Sequence, residues 1–185
     1  MARWFLEPGH TAAGFSVRHM MVTEVRGHFK NVAGTLDFDD RDPARGTAEV
    51  IIDARGIWTG EAQRDAHLRS ADFLDVEHHP QIRFAGRVTR LLGASEYEIS
   101  GALTIRGVTR PVVLDVRCLG QWSTPWWEDG ADRGPKTRAG FVATARINRH
   151  DFGVDWNSPL EKGGVVVGDD VAITIDAEAI LVSGR

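Results

Sequence analysis

The chain has 185 residues and a formal net charge of −4, and its composition is 42% hydrophobic and 26% charged. A domain of this length buries about 70% of the surface that its unfolded chain exposes, so a core can form without disulfides or metals. The acidic balance gives no general attraction for nucleic acid, and Cys118, the single cysteine, excludes an internal disulfide. No linker divides the sequence, and we predict one domain over residues 1–185.

The N-terminal sequence lacks the continuous apolar segment and the small-residue cleavage site of a signal peptide. No stretch approaches the length that is needed to span a bilayer. We therefore expect a cytoplasmic protein with no integral membrane segment, unless a leader has been removed.

Apolar and polar residues alternate with a period of two in eight segments. Such alternation is typical of antiparallel strands that bury one face and expose the other. Turn-forming residues separate the segments, and Pro111 fits the first position of a strand. The eight predicted strands lie within residues 15–19, 34–39, 48–53, 81–88, 97–106, 112–118, 138–147 and 171–178.

One segment, residues 61–72, breaks this alternation and is rich in residues that favour a helix. Thr59 or Gly60 can cap its N-terminus, and Glu61 suits the positive end of the helix dipole. We therefore predict one short helix between the third and fourth strands.

Eight amphipathic strands can form a sandwich or a barrel, and we predict an all-β, eight-stranded, antiparallel, lipocalin-like barrel because closure removes exposed edges. Its inward positions mix large residues with very small ones, which predicts an apolar void, although the same pattern fits a packed, tapering barrel. We expect Gly101→Leu or Ala143→Phe to block ligand binding and leave the fold intact. The predicted ligand-contacting residues are Phe15, Val17, His19, Leu36, Phe38, Val50, Ile52, Phe84, Gly101, Leu103, Phe141, Ala143 and Ile173.

Four motifs lie along the chain in the order of a known family. They are W-x-L-E-P-x-H-T followed by F-x-V-x-H (4–19), R-D-A-H-L-R-S-A-D-F-L-D (64–75), G-x-L-T-I-x-G-V-T-x-P-V (101–112) and I-N-R-x-D-F-G-V (147–154). With these motifs the sequence resembles the YceI-like family over nearly its whole length. The resemblance implies an extended lipocalin-like barrel, a helix beside its mouth and often a homodimer. It also implies a polyisoprenoid ligand, such as a polyprenyl phosphate or a quinone tail.

Polar residues near the predicted helix are candidates for contacting the head group of such a ligand. Arg64, His67 and Arg69 can meet an anion, because a guanidinium fork suits phosphate. The alternative is a solvated helix face that pins the helix to the barrel. His19 is an inward polar residue that either bonds a ligand head group or is satisfied by the protein itself.

The sequence offers little support for metal binding or catalysis. Its histidines show no zinc-like pairing, and it has no nucleophile elbow, P-loop or dinucleotide-binding fingerprint. We interpret Arg149 and Asp151 as parts of a buried structural network. We predict a carrier of an apolar small molecule that is not an enzyme and uses no metal or cofactor. The alternatives are an isomerase-like or cyclase-like enzyme using His19, Asp65 or His67 for proton transfer, and a ligand-free, stress-related interaction module.

Overall fold

The structure is a computed structural model that describes residues 1–183. Strands dominate it, and one eight-residue α-helix interrupts them within the described range. In chain order the elements are β1 (Ala2–Leu6), β2 (Ala12–His19), β3 (Thr23–Phe29), β4 (Val32–Phe38), β5 (Thr47–Asp53), β6 (Ile57–Trp58), α1 (Ala62–Arg69), β7 (Gln81–Leu91), β8 (Glu96–Ile105), β9 (Val108–Thr124), β10 (Trp127–Glu128), β11 (Ala131–Asp132), β12 (Lys136–Asn148) and β13 (Val167–Ser183).

Eight strands close into an antiparallel barrel in the order β1-β4-β5-β7-β8-β9-β12-β13, and β13 pairs back onto β1. Closure pairs the backbone groups that an open sheet would leave at its edges. The predicted eight-stranded barrel with one short helix is confirmed. Each of the eight alternating segments falls within a different strand to within one residue, although the first of them lies in β2 and not in β1.

Two strands near the start of the chain, β1 and β3, were missing from the prediction. Residues 179–183 of β13 pair with β1, and residues 167–176 pair with β2, so β1 and β2 lie end to end along β13. β2 turns back into β3, which leads through a two-residue connection into β4 beside β1. The β2–β3 hairpin therefore lengthens the barrel wall at one end.

The antiparallel order places the chain connections at two opposite ends of the barrel. The helix end holds the β2–β3 turn, the segment 54–80 with α1, the β8–β9 turn and the connection 149–166. The far end holds the connections 39–46, 92–95 and 125–135. One end of the barrel therefore carries the helix and the two longest connections. The other end carries the remaining loops, including the β10–β11 hairpin.

Helix α1 begins after Glu61, whose carboxylate accepts hydrogen bonds from the backbone N–H groups of Gln63 and Arg64. Glu61 is therefore the N-cap, in place of the predicted Thr59 or Gly60. The helix ends at Arg69, three residues earlier than predicted, because residues 70–75 form tight turns. α1 packs against β6, next to the helix end of the barrel.

Aromatic side chains fill the far end of the barrel. The Phe38 ring lies edge-on to Phe141 at a centroid distance of 5.3 Å and lies 6.0 Å from the Tyr97 ring. The indole of Trp4 is 2% exposed, and its Nε1 donates to the Phe38 carbonyl at 3.1 Å. This cluster packs into the far end, and most of the space inside the barrel lies between it and the helix end.

Two glycines of neighbouring strands bring an aromatic ring against the sheet. Gly86 of β7 lies directly opposite Gly101 of β8. A Cβ added at Gly86 would lie 2.7 Å from Cζ of Phe84, and one at Gly101 would lie 2.6 Å from the same atom. The Phe84 ring thus covers both glycines, which removes Gly101 from the cavity surface.

This packing changes the expected effect of Gly101→Leu from blocked binding to lost stability. A Cβ at position 101 would lie 2.5 Å from the Ala85 carbonyl oxygen. The variant should lose about 1–3 kcal/mol of unfolding free energy in urea denaturation. Ala102→Leu, at the exposed neighbouring position, is the control and should stay within about 0.5 kcal/mol of the wild type. Equal stability of the two variants would show that the Phe84 ring does not depend on the bare glycine surface.

Candidate functional site

The barrel encloses an apolar cavity with a volume of about 410 Å³. The inward rings of Phe38, Tyr97 and Phe141 at the far end are buried, whereas side chains nearer the helix end, such as Val17, Ile52 and Val171, keep partial exposure. That exposed surface faces the cavity. The cavity therefore runs from the far-end aromatic cluster up to the helix end.

Twelve of the thirteen residues predicted to contact a ligand lie along this cavity. Gly101 is the exception, for the packing reason given above. The residues that the structure brings together are Phe15, Val17, His19, Leu36, Phe38, Val50, Ile52, Phe84, Leu103, Phe141, Ala143 and Ile173.

The very small inward residues explain less of the cavity than the sequence indicated. Ala143 and Ala177 line it. Gly34 instead allows close strand approach, because an added Cβ would lie 2.3 Å from the Glu49 carbonyl oxygen. Small inward residues therefore border the void at some positions and allow close packing of strands at others.

Aromatic residues from the connections form the rim of the cavity at the helix end. The His67 ring lies edge-on to the rings of Phe73 and Trp156, at centroid distances of 5.0 and 4.8 Å. Its Nε2 lies 2.8 Å from Oδ2 of Asp72. Sequence reasoning missed Phe73 and Trp156, because they lie in irregular segments that carry no periodic signal.

Arg64 lies at the rim and is already partly engaged in holding the helix. Its Nε donates to Oγ1 of Thr59 at 2.7 Å, and its Nη2 donates to the Thr59 carbonyl at 2.9 Å. Asp65 is buried, accepts from the backbone N–H of Thr59 at 2.9 Å and does not line the cavity. The pinning role predicted as an alternative is therefore present in the structure. Nη1 of Arg64 makes no hydrogen bond to residues 1–183.

Arg69 and His19, the other two polar candidates, differ in their surroundings from Arg64 and His67. Arg69 does not line the cavity, so the structure places two of the three head-group candidates at the rim. His19 lies along the cavity, and its Nδ1 is buried without a hydrogen-bond partner among the described residues. His19 is therefore not the fully satisfied histidine that one of the two interpretations required.

Arg149 holds the long connection at the helix end together. The residue is 4% exposed, and its Nη1 donates to the carbonyls of Val154 at 2.6 Å and Trp156 at 2.9 Å. Nε donates to the Gly168 carbonyl at 2.8 Å. Burial lowers the pKa of this guanidinium below its usual value, yet arginine stays charged at any ordinary pH. Asp151 is exposed and takes no part in this network, which corrects the prediction for that residue.

His150 clamps the same connection from outside. Its Nδ1 lies 2.8 Å from Oδ1 of Asp155, and its Nε2 lies 2.9 Å from Oδ1 of Asp169. Hydrogen bonds to Asp155 and then to Asp169 raise the pKa of His150 above its ordinary value of 6.5. Two carboxylates facing both ring nitrogens favour the imidazolium, because only the charged ring donates from both.

Two further features bear on the kind of site. Nowhere in residues 1–183 do three or more His, Cys, Asp or Glu side chains come together in a way that could hold a metal ion. Over the same range, no helix has the length and apolar character that crossing a bilayer requires.

Comparison with known proteins places this barrel in a family. Residues 4–179 match the YceI-like domain. Protein YceI of Escherichia coli O157:H7 is 38% identical over 148 residues, which cover 80% of this chain and 73% of that protein.

Solved structures show the same fold. Burkholderia cenocepacia BcnA superposes with a TM-score of 0.75 at 22% identity, covering 94% of this chain and 98% of that chain. A polyisoprenoid binding domain from Saccharophagus degradans superposes with a TM-score of 0.66 at 12% identity, covering 98% and 99%. The resemblance seen in the four sequence motifs is confirmed, and the chain belongs to the YceI-like family.

Proposed function

We propose that this protein binds a long apolar isoprenoid-type lipid, of the polyprenyl phosphate or quinone class, inside the barrel and carries or stores it. The observation that carries the proposal is the apolar cavity of about 410 Å³ within a closed barrel. This volume lies in the range of about 300–1,000 Å³ that is usual for small-molecule sites. Because side chains do not fill the interior, the structure also favours a carrier over a packed, ligand-free module.

The chemistry of the wall suits a hydrocarbon chain. Burial of apolar surface contributes about 25 cal/mol per Å², so a tail that buries a few hundred Å² gains about 5–10 kcal/mol before the costs of association. The wall provides aliphatic and aromatic contacts along its length and few polar groups to pair with a polar ligand. Such a site selects for ligands with a long apolar part.

The relatives support the ligand class. The Saccharophagus degradans domain, which binds polyisoprenoid, has the same barrel fold. At 12% identity this likeness concerns the fold, and the ligand class is our inference for this chain.

The rim is suited to the polar end of the same ligand. Arg64 keeps Nη1 for an anionic or carbonyl group, and the His67 ring stands beside Trp156 at the cavity entrance. Arg69 has no part in this site. We therefore expect the tail to lie within the barrel and the head group to lie near Arg64 and His67.

Binding, and not catalysis, is the role that this arrangement supports best. Asp65, one of three groups considered for proton transfer, is engaged by Thr59 away from the cavity. The proposed role needs neither a metal nor a cofactor.

A competition experiment tests the proposal. The protein is loaded with a fluorescent fatty-chain probe, and the probe is displaced with a polyprenyl phosphate or an isoprenoid-tailed quinone. Both tailed compounds should displace the probe, whereas inorganic phosphate and a tailless quinone should not, because the tail supplies the binding energy. Failure of the probe to bind, or equal displacement by the tailless compounds, would refute the proposal.

A further inference from the structure

The turn between β2 and β3 carries three consecutive exposed apolar side chains. Met20 is 47% exposed, Met21 is 50% exposed and Val22 is 80% exposed. We call these three residues the hairpin tip. Single exposed apolar residues are ordinary on protein surfaces, but a run of three at the point of a turn is not.

The backbone of the hairpin tip makes this choice of residues more unusual. Met20 and Met21 have φ values of 47° and 63°, and the N–H of Val22 donates to the His19 carbonyl at 3.2 Å. Two successive positive φ values are typical of a type I′ turn, in which Asn and Gly are strongly preferred. Methionine is disfavoured there both by its backbone and by its exposure to water. A contact outside the protein would explain why apolar side chains occupy this turn.

The hairpin tip belongs to the rim of the cavity. His19, directly before it, and Val25, shortly after it, both lie along the cavity. The N–H of Met20 donates to the Val166 carbonyl at 2.8 Å, which ties the tip to the 149–166 connection. Anything that the hairpin tip touches therefore lies beside the cavity entrance.

The size and the charge of this surface favour a lipid bilayer as its partner. Three side chains fall far short of the roughly 1,000 Å² that a specific protein–protein interface buries. A few apolar side chains beside basic residues are enough for shallow insertion at a membrane surface. Arg18 donates to the Met21 carbonyl at 2.7 Å, so its guanidinium stands at the base of the tip. Arg26 adds a second positive charge, which pairs with Glu24 at 2.9 Å.

We propose that the hairpin tip inserts into the surface of a phospholipid bilayer and sets the cavity entrance against it. A lipid tail can then pass between the bilayer and the barrel without crossing water. This inference rests on the proposed function for its purpose, but the contact with the bilayer is a separate physical event that can be measured on its own.

Vesicle sedimentation with a tip variant tests the contact. Met20→Asn and Met21→Gly are combined, which installs the residues that the turn prefers and removes both methionines. The wild type should sediment with vesicles of phosphatidylcholine and phosphatidylglycerol, and the variant should partition at least about tenfold more weakly. Its melting temperature should be equal to that of the wild type or higher, which separates lost docking from lost folding.

Two controls accompany this variant. Trp122→Ser removes a side chain that is 77% exposed at the far end, and it should leave vesicle binding unchanged. Ala143→Phe narrows the cavity and should keep vesicle binding while losing the fluorescent probe. The tip variant should show the reverse pattern, because the hairpin tip does not line the cavity.

The outcomes separate the two proposals. Equal vesicle binding by the tip variant and the wild type, or no binding by the wild type, would overturn the docking inference whatever the probe shows. Tip-dependent vesicle binding in a protein that takes up no probe would support docking and refute the carrier role.

Discussion

Ala143→Phe should reduce the affinity for a long-chain lipid at least tenfold, equivalent to about 1.4 kcal/mol or more. Ala143 lies on β12 and faces the cavity, between the far-end aromatic cluster and the helix end. A phenyl ring at this position would occupy space that the lipid tail needs. Because the barrel wall is closed, the tail has no other path past the ring. The measurement is a titration with the fluorescent fatty-chain probe.

The neighbouring position provides a matched control. Thr144 is exposed on the outer face of the same strand, so Thr144→Phe makes the same addition outside the barrel. It should bind the probe like the wild type. Crowding in the cavity variant should destabilise the fold by about 1–3 kcal/mol, and melting curves of both variants separate that effect from blocked binding. A folded Ala143→Phe protein that binds normally would place the ligand elsewhere.

Arg149→Met should lower the free energy of unfolding by about 3–5 kcal/mol. The buried guanidinium donates to four carbonyls, those of Val154, Trp156, Val167 and Gly168. Methionine fills a similar volume but leaves these acceptors unpaired, and each buried unpaired group costs about 1–3 kcal/mol, not additively. Urea denaturation measures the loss.

The loss should be concentrated in the connection that Arg149 organises. Limited proteolysis should cut the variant first within residues 153–167. Arg146→Met is the control, because Arg146 is an exposed residue of β12, three residues before Arg149, with only a 3.9 Å contact to Asp170. It should change stability by less than about 0.5 kcal/mol. If the two variants unfold alike, the buried network does not stabilise the connection.

Most of the barrel can be predicted from the sequence, because each strand has one solvent-exposed face and one buried face, which imposes a period of two on its residues. β1 is harder to find: it has five residues, and its outward Phe5 interrupts the alternation between Trp4 and Leu6. The end-to-end arrangement of β1 and β2 depends on which half of β13 each one pairs with, and pairing between distant segments leaves no local signal.

In the candidate site, too, alternation predicts which residues face inward but does not predict how they pack. Inward positions such as Phe15, Leu103 and Ile173 follow from alternation and line the cavity. Gly101 follows from the same alternation, but its role depends on lying opposite Gly86 and beneath the Phe84 ring. A small inward residue therefore indicates either a void or a close contact, and only the cross-strand register distinguishes them.

The rim could be predicted only in part. The sequence predicts Arg64 and His67 as rim residues because they share a short helix. It also offers, as one alternative, the role of Arg64 in pinning the helix. Trp156 lies in an irregular connection whose path is fixed by Arg149 and His150. Such long-range hydrogen bonds have no periodicity, so the aromatic part of the rim depends on the folded structure.

The most direct test of the account is the mass of whatever fills the cavity. Native mass spectrometry of freshly purified protein should show a bound species with the mass of an isoprenoid-type lipid, and solvent extraction of the same sample should release it. The Ala143→Phe variant, purified in parallel, should emerge without it. A wild-type protein that emerges empty and takes up no long-chain lipid would contradict the claim that this cavity is a lipid-binding site.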